Sequence, residues 1–196
     1  MKREGKIKST HASLKKTGDL AELIGTILGD GHIMHHDRCD ALRIVGDAKK
    51  MGFVNRSAML IEKVFGKRPS IIKRNASNAV NITLYEKNIQ KRLNLPAGSR
   101  TNYEFQLPGW IAKSKPRTIR FLRGLYEAEG SLSHHEATYT HKLIFANTNQ
   151  HLLTLVARLV RGLGFTVNID AVKVQISRKV EVQKFADLIE FRHYET

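Results

Sequence analysis

Two acidic residues, Asp30 and Glu129, occupy matching positions 99 residues apart in the chain. Each stands directly before a glycine, in the stretches "LIGTILGDG" and "LRGLYEAEG", after apolar residues at helical spacing. A helix C-terminus carries partial negative charge, so an acid there is unfavourable by about 0.3–1 kcal/mol. Hard divalent metals such as Mg²⁺ take oxygen ligands and assist phosphate chemistry. The two positions therefore predict a pair of metal-binding acids that act on a phosphate substrate.

The residues before these acids predict how they come together. The first stretch contains Gly25 and Gly29, and the second contains Gly124 and Ala128 at the same offset. Small residues four positions apart let two helices approach backbone to backbone, and duplicated units often pack about a twofold axis. We therefore expect the two helices to cross at these positions, with the two acids side by side at their ends.

The similarity between the two halves continues after the acids. Each motif is followed by two stretches typical of strands, a helical stretch that ends on glycine, two more strands and a last helix. The middle helices are "VNRSAMLIEKVFG" and "LLTLVARLVRGLG", and the closing helices are "EKNIQKRL" and "VEVQKFADLI". This pattern predicts an α+β fold of two αββαββα halves. We divide the chain into a basic tail, an N-terminal half, a linker and a C-terminal half, at residues 1–17, 18–100, 101–115 and 116–196.

The starts of the two motif helices carry their own signals. Asp19 is predicted to cap the first helix, because Glu22 follows at the spacing of a capping box. Pro116 suits the first turn of the second helix. We expect the helices to begin close to these residues.

The composition narrows the class of partner. The chain has 33 Lys and Arg against 18 Asp and Glu, a net charge of +15, which indicates a polyanion such as nucleic acid. No apolar run approaches the roughly 20 residues of a membrane span, and the basic N-terminal stretch lacks the apolar core of a signal peptide. The single cysteine, Cys39, excludes a disulfide framework and fits a reducing, intracellular setting.

The two motifs together resemble those of single-chain LAGLIDADG homing endonucleases, from about Gly18 to the end of the chain. The resemblance implies a pseudo-twofold α+β fold whose two saddle-shaped antiparallel sheets lie in the DNA major groove. It places Asp30 and Glu129 on the catalytic metals, with Gly29 and Ala128 at the same metal site. Mg²⁺ is the expected cofactor, and Ca²⁺ or Mn²⁺ are expected to substitute for it.

The activity that this resemblance implies is site-specific cleavage of double-stranded DNA, with one strand cut by each active site and short 3′ overhangs left. The expected target is long and pseudo-palindromic, and the expected enzyme is a monomer encoded within an intron. Two other functions stay open, namely an intron maturase or RNA-binding splicing factor, and a non-catalytic DNA-binding regulator of the same fold. Competition between duplex DNA and structured RNA would separate them.

Further catalytic residues are expected by the same resemblance. Relatives place a polar residue at the end of the second strand of each half, which matches Asn147 in the second half and either Gly46 or Asp47 in the first. They also place a basic residue near each site, and Arg100 matches best. Lys113 and Lys115 are the other candidates for that basic residue.

Base contacts are expected from outward-facing strand positions, because a two-stranded ribbon fits the major groove. In "VKVQIS", Lys173 and Gln175 are predicted to face outward, whereas Val172, Val174 and Ile176 are predicted to face the core. The His-His-acid triplets after each motif lack the further ligands of a zinc site and are assigned to DNA contact or solvent. The predicted DNA-binding residues are Arg43, Lys73, Arg74, Asn81, His134, His135, Lys142, Lys173, Gln175 and Arg178.

Overall fold

A computed structural model describes residues 13–75, 77–135 and 140–194 of the chain. The first half contains α1 (Gly18–Asp30), β1 (Gly31–His35), β2 (Asp40–Asp47), α2 (Met51–Phe65), β3 (Ser70–Lys73), β4 (Ala79–Glu86) and α3 (Ile89–Leu93). A short helix that the sequence did not predict, α4 (Gly109–Ala112), lies in the connection. The second half contains α5 (Lys115–Glu129), β5 (Gly130–His135), β6 (Thr140–Ala146), α6 (Gln150–Gly162), β7 (Asn168–Ile169), β8 (Lys173–Ile176) and α7 (Lys179–Leu188). The predicted αββαββα order is confirmed in both halves.

Each half contains one four-stranded antiparallel sheet, and the two sheets have the same topology. The strand order is β1-β2-β4-β3 in the first half and β5-β6-β8-β7 in the second. In the first sheet, Leu42 lies opposite Ile33 on one side and Leu84 on the other. The fold is therefore a duplication, as the repeated motifs predict.

Side chains of each strand alternate between a face packed against helices and an open face. In β8, Val174 and Ile176 are completely buried, whereas Lys173 and Gln175 are partly exposed, as predicted. Val172 is an exception, because it precedes the strand and is 55% exposed. The helices cover one face of each sheet and leave the other to solvent.

The helices α1 and α5 cross in direct backbone contact. A Cβ atom added to Gly25 would overlap the carbonyl oxygen of Phe121, and one added to Gly124 would overlap the carbonyl oxygen of Glu22. Only glycine fits at these two positions, since a methyl group would push the helices apart. The predicted small-residue crossing is confirmed.

The N-terminus of α1 differs from the prediction. Thr17, not Asp19, caps the helix: its hydroxyl accepts a hydrogen bond from the backbone N–H of Leu20 at 3.2 Å. Asp19 instead accepts a hydrogen bond at 2.6 Å from Nη2 of Arg120, on α5. The capping-box prediction is wrong, because both of its acids have charged partners elsewhere. Pro116 does lie in the first turn of α5.

The second acid of that predicted box, Glu22, lies in a buried ion cluster between the halves. Its carboxylate accepts hydrogen bonds from Arg56 Nε at 2.7 Å and Arg56 Nη2 at 2.9 Å, and from Arg120 Nε. Arg123 Nε is 3.7 Å away. The Glu22 side chain is only 1% exposed, so removal of a partner would leave buried charge uncompensated. The cluster joins α1, α2 and α5 at the end of the crossing opposite the two motif acids.

No helix in the described parts of the chain has both the length and the apolar character needed to cross a membrane.

We predict that Gly124→Ala lowers the free energy of unfolding by about 1–3 kcal/mol or more, because the new methyl group overlaps the backbone of α1. Chemical denaturation measures the effect. Gly162→Ala is the matched control, since a Cβ atom there meets nothing within 4 Å, and alanine is favoured over glycine in a helix by up to about 1 kcal/mol. Equal stability of the two variants would contradict the backbone contact.

Candidate active site

The crossing of α1 and α5 brings Asp30 and Glu129 together at the C-terminal ends of the two helices. A Cβ atom added to Gly29 would lie 2.5 Å from Cβ of Ala128 and 3.1 Å from Cγ of Glu129. The helices are therefore still in close contact at their last turn. Both acids are partly buried, and both line one cleft between the halves. The structure thus places the four residues of the predicted metal site side by side.

The electrostatics of this pair are unfavourable for two carboxylates alone. Burial raises the pKa of Asp30 to about 7, with a further upward contribution from the charge of Glu129, while Lys50 acts in the opposite direction. Burial also raises the pKa of Glu129. Each acid lies at the negative end of its own helix. This arrangement would be stabilised by a cation.

The polar residues predicted at the strand ends take different positions. Asn147 lies beside the pair, with its Nδ2 3.5 Å from Glu129 Oε1. Asp47 lines the same cleft as the two acids, but its Oδ1 accepts a hydrogen bond at 2.9 Å from the backbone N–H of Lys49. The amide of Asn147 can thus orient Glu129 directly, whereas Asp47 is part of a local turn at the edge of the cleft.

The predicted basic residue, Arg100, reaches the end of α1. Its Nη2 donates to the carbonyl oxygen of Ile27 at 2.7 Å and to that of Gly31, the residue after Asp30. Lys113 and Lys115 lie at the opposite end of α5 from Glu129, so they do not reach the site.

The second half has an equivalent arginine that the sequence analysis missed. Nη2 of Arg192 donates to the carbonyl oxygen of Gly130 at 3.0 Å, and Gly130 follows Glu129 as Gly31 follows Asp30. Arg192 lines the cleft together with both acids. In the sequence, Arg192 follows Gly130 by 62 residues, whereas Arg100 follows Gly31 by 69 residues. Because the offsets differ, alignment of the two motifs does not reveal the correspondence.

Five of the predicted DNA contacts lie on the open faces of the sheets, as their registers show. Arg43 and Asn81 do so in the first sheet, and Lys142, Lys173 and Gln175 do so in the second. Arg74 follows β3 and is exposed. Basic and amide side chains are thus arranged along both open faces.

Other predicted contacts lie elsewhere. Lys73 is paired with the buried residue Val80, so its position on the edge strand is on the helix side of the sheet. Arg178 precedes α7 and donates to Glu181 at 3.1 Å. These two basic residues do not project from the open sheet faces.

The two histidines of the second triplet are the last of the predicted contacts. His134 pairs with His141 at the far end of the hairpin, with ring centroids 4.1 Å apart. It shares the helix side of the sheet with Leu132 and Leu143, so it does not project from the open face. His135 ends β5, and its side chain lies outside the described residues.

Most of the second half matches a known protein family. Residues 118–190 match a family model described as a LAGLIDADG-like domain. A search of curated protein sequences finds no match to the chain. The family match covers most of the second half, including Glu129 and Asn147.

Solved structures match almost the whole chain. The homing endonuclease I-DmoI in complex with DNA and Mn has a TM-score of 0.56 at 19% identity, over 89% of this chain and 97% of that one. The N-terminal LAGLIDADG domain of DUF199/WhiA has a TM-score of 0.59 at 15% identity, over 93% and 84%. Full-length DUF199/WhiA from Thermotoga maritima has a TM-score of 0.63 at 15% identity, over 94% and 59%.

The likeness to I-DmoI and to WhiA extends through both halves, and the family model independently matches the second. Residues 118–190 therefore match a LAGLIDADG-like domain, and the chain as a whole has the fold of the homing endonuclease I-DmoI and of WhiA.

Proposed function

We propose that this protein is a divalent-metal-dependent endonuclease that cuts both strands of a specific DNA duplex. One observation carries the proposal: Asp30 and Glu129 lie side by side and partly buried at the ends of the crossed helices, where burial and their mutual repulsion raise the pKa of Asp30. Carboxyl groups with perturbed pKa values cluster at functional sites, and a cation bound between the two acids would offset their repulsion.

The donor set fits a hard divalent cation. Asp30 and Glu129 would hold it, with Gly29 and Ala128 adjacent. Within the described residues no group of three or more His, Cys, Asp or Glu side chains could hold a metal ion, which disfavours a zinc centre. Mg²⁺ binds through one or two carboxylates and keeps water and substrate phosphate as its other ligands. When bound, such a cation stabilises negative charge on the phosphate and on the leaving oxygen.

The surrounding side chains supply the remaining functions. The Asn147 amide, 3.5 Å from the Glu129 carboxylate, orients that acid. Arg100 and Arg192 place one positive charge beside each motif glycine, Gly31 and Gly130, where a scissile phosphate of either strand can be stabilised. Each half thus contributes one acid and one arginine, which suits cleavage of two antiparallel strands by a single chain.

The open sheet faces support a DNA substrate. Their basic and amide side chains match the donors that read guanine and adenine in the major groove, and the net charge of +15 favours binding to phosphates. Because the two faces differ in sequence, we infer a long, partly symmetric target. A chain that holds both halves needs no second copy, so we propose a monomer. The 3′ overhangs are proposed from the resemblance to homing endonucleases. An origin within an intron accords with this family but rests on the resemblance alone.

A non-catalytic role is the second candidate, because the same fold occurs in WhiA at a TM-score of 0.63. The fold by itself thus does not establish cleavage, and the acid pair is the feature that favours the endonuclease. A splicing factor would prefer structured RNA to duplex DNA in a competition assay.

We predict that Asp30→Asn and Glu129→Gln abolish Mg²⁺-dependent double-strand cleavage while DNA binding in Ca²⁺ survives, because each change removes one carboxylate from the proposed metal site. The substrate is a duplex enriched from a random library by binding to the protein in Ca²⁺. Glu62→Gln is the matched control, since Glu62 is an exposed residue paired with Arg68. Full cleavage by either acid variant would contradict the metal-ligand assignment.

We also predict that Asp30→Asn raises the melting temperature in a metal chelator above pH 7. The folded-state pKa of Asp30, about 7, exceeds its ordinary value of 3.8, so the ionised carboxylate destabilises the folded state. This destabilisation is absent below pH 3.8 and complete above pH 7, so the gain should shrink as the pH falls between these values. Asp37→Asn, in the exposed β1–β2 turn, is the control. A variant no more stable than the parent above pH 7 would show that the pair is already compensated.

A further inference from the structure

The segment after α7 crosses from the second half to the first. A Cβ atom added to Gly52, at the start of α2, would overlap the ring of Tyr194, so this ring packs directly on the α2 backbone. Arg123 holds the same segment through the carboxylate of Glu190 and, at 3.0 Å, through the carbonyl oxygen of His193. We call residues 190–194 the C-terminal strap. Its contacts tie it to α5 of one half and α2 of the other.

One acid holds the strap beside the cleft. Glu127 on α5 is 8% exposed, and its Oε1 accepts a hydrogen bond at 2.6 Å from the backbone N–H of Arg192. Its Oε2 accepts a hydrogen bond from the hydroxyl of Tyr194. The matching position in α1 is Leu28, so the first half has no equivalent carboxylate. Of the two site arginines, Arg192 is the one whose backbone Glu127 holds.

The backbone of the strap is bent in an uncommon way. Glu190 and Arg192 have φ angles of 51° and 55°, in the left-handed region that side chains other than glycine seldom adopt. Such conformations persist where surrounding contacts hold them. In this backbone conformation, the guanidinium of Arg192 donates to the carbonyl oxygen of Gly130, the residue after Glu129.

We propose that Glu127 is a positioning residue that fixes Arg192 for cleavage of one DNA strand only. This inference rests on the proposed endonuclease function. Arg100 lies between α3 and α4, and its guanidinium donates to the carbonyl oxygens of Ile27 and Gly31 at the end of α1. Loss of Glu127 should therefore free Arg192 and leave Arg100 in place.

The test uses strand-resolved cleavage of the enriched duplex, with each strand carrying a different label. Glu127→Ala should slow one strand by on the order of 10- to 100-fold, the range expected for a misplaced catalytic group. It should affect the same strand as Arg192→Met, whereas Arg100→Met should affect the other. Glu127→Gln should retain near-parental rates, because its amide oxygen can accept from the Arg192 N–H and its amide nitrogen can donate to Tyr194.

Hydrogen exchange of the strap gives a readout that needs no cleavage. Exchange in residues 190–194 should rise in Glu127→Ala and stay low in Glu127→Gln, with Glu62→Gln as the control. Unchanged exchange in Glu127→Ala, or equal slowing of both strands by that variant, would overturn the proposal. If the parent binds duplex DNA but cuts neither strand, the endonuclease proposal fails, and the exchange experiment still decides whether Glu127 holds the strap.

Discussion

The backbone contact between α1 and α5 determines where every proposed functional group lies. Gly25 and Gly124 allow the helices to cross without intervening side chains, so the helix ends stay close at Gly29 and Ala128. Asp30 and Glu129 are adjacent only because the crossing continues to the last turn. The same contact makes ionisation of both acids unfavourable, as the raised pKa of Asp30 indicates. Packing of the helix pair thus places two acids where a bound divalent cation would stabilise them.

The two halves share one fold, but different contacts hold the halves together and position their arginines. The buried cluster around Glu22 uses three arginines from α2 and α5 to fix the halves at the far end of the crossing. Near the acids, Arg100 comes from the segment between α3 and α4, whereas Arg192 comes from the C-terminal strap. The two halves therefore reach equivalent arginine positions by different routes. A single chain can vary each route independently, which a homodimer of identical halves cannot.

Much of this architecture could be predicted from the sequence. The in-register repeat around Asp30 and Glu129 gave the duplication, the helix crossing and the proposed metal pair, because each depends on residue types at fixed spacing. The capping-box prediction was wrong because Asp19 and Glu22 form ion pairs with Arg120 instead of capping the helix. Arg120 is distant in the sequence, so no local pattern shows this contact. Arg192 was missed because its segment follows an irregular path. His134 was predicted to contact DNA because it follows the motif helix, and that position alone does not show which face of the sheet it occupies.

We propose that the crossing of α1 and α5 creates a site-specific nuclease. The most direct test is a two-stage selection on a random duplex library, in which the protein first retains DNA in Ca²⁺ and the retained pool is then moved to Mg²⁺ and its ends are sequenced. We predict one long enriched site, cut on both strands at a fixed offset that leaves 3′ overhangs. An enriched site whose strands stay intact in Mg²⁺ would contradict the proposal.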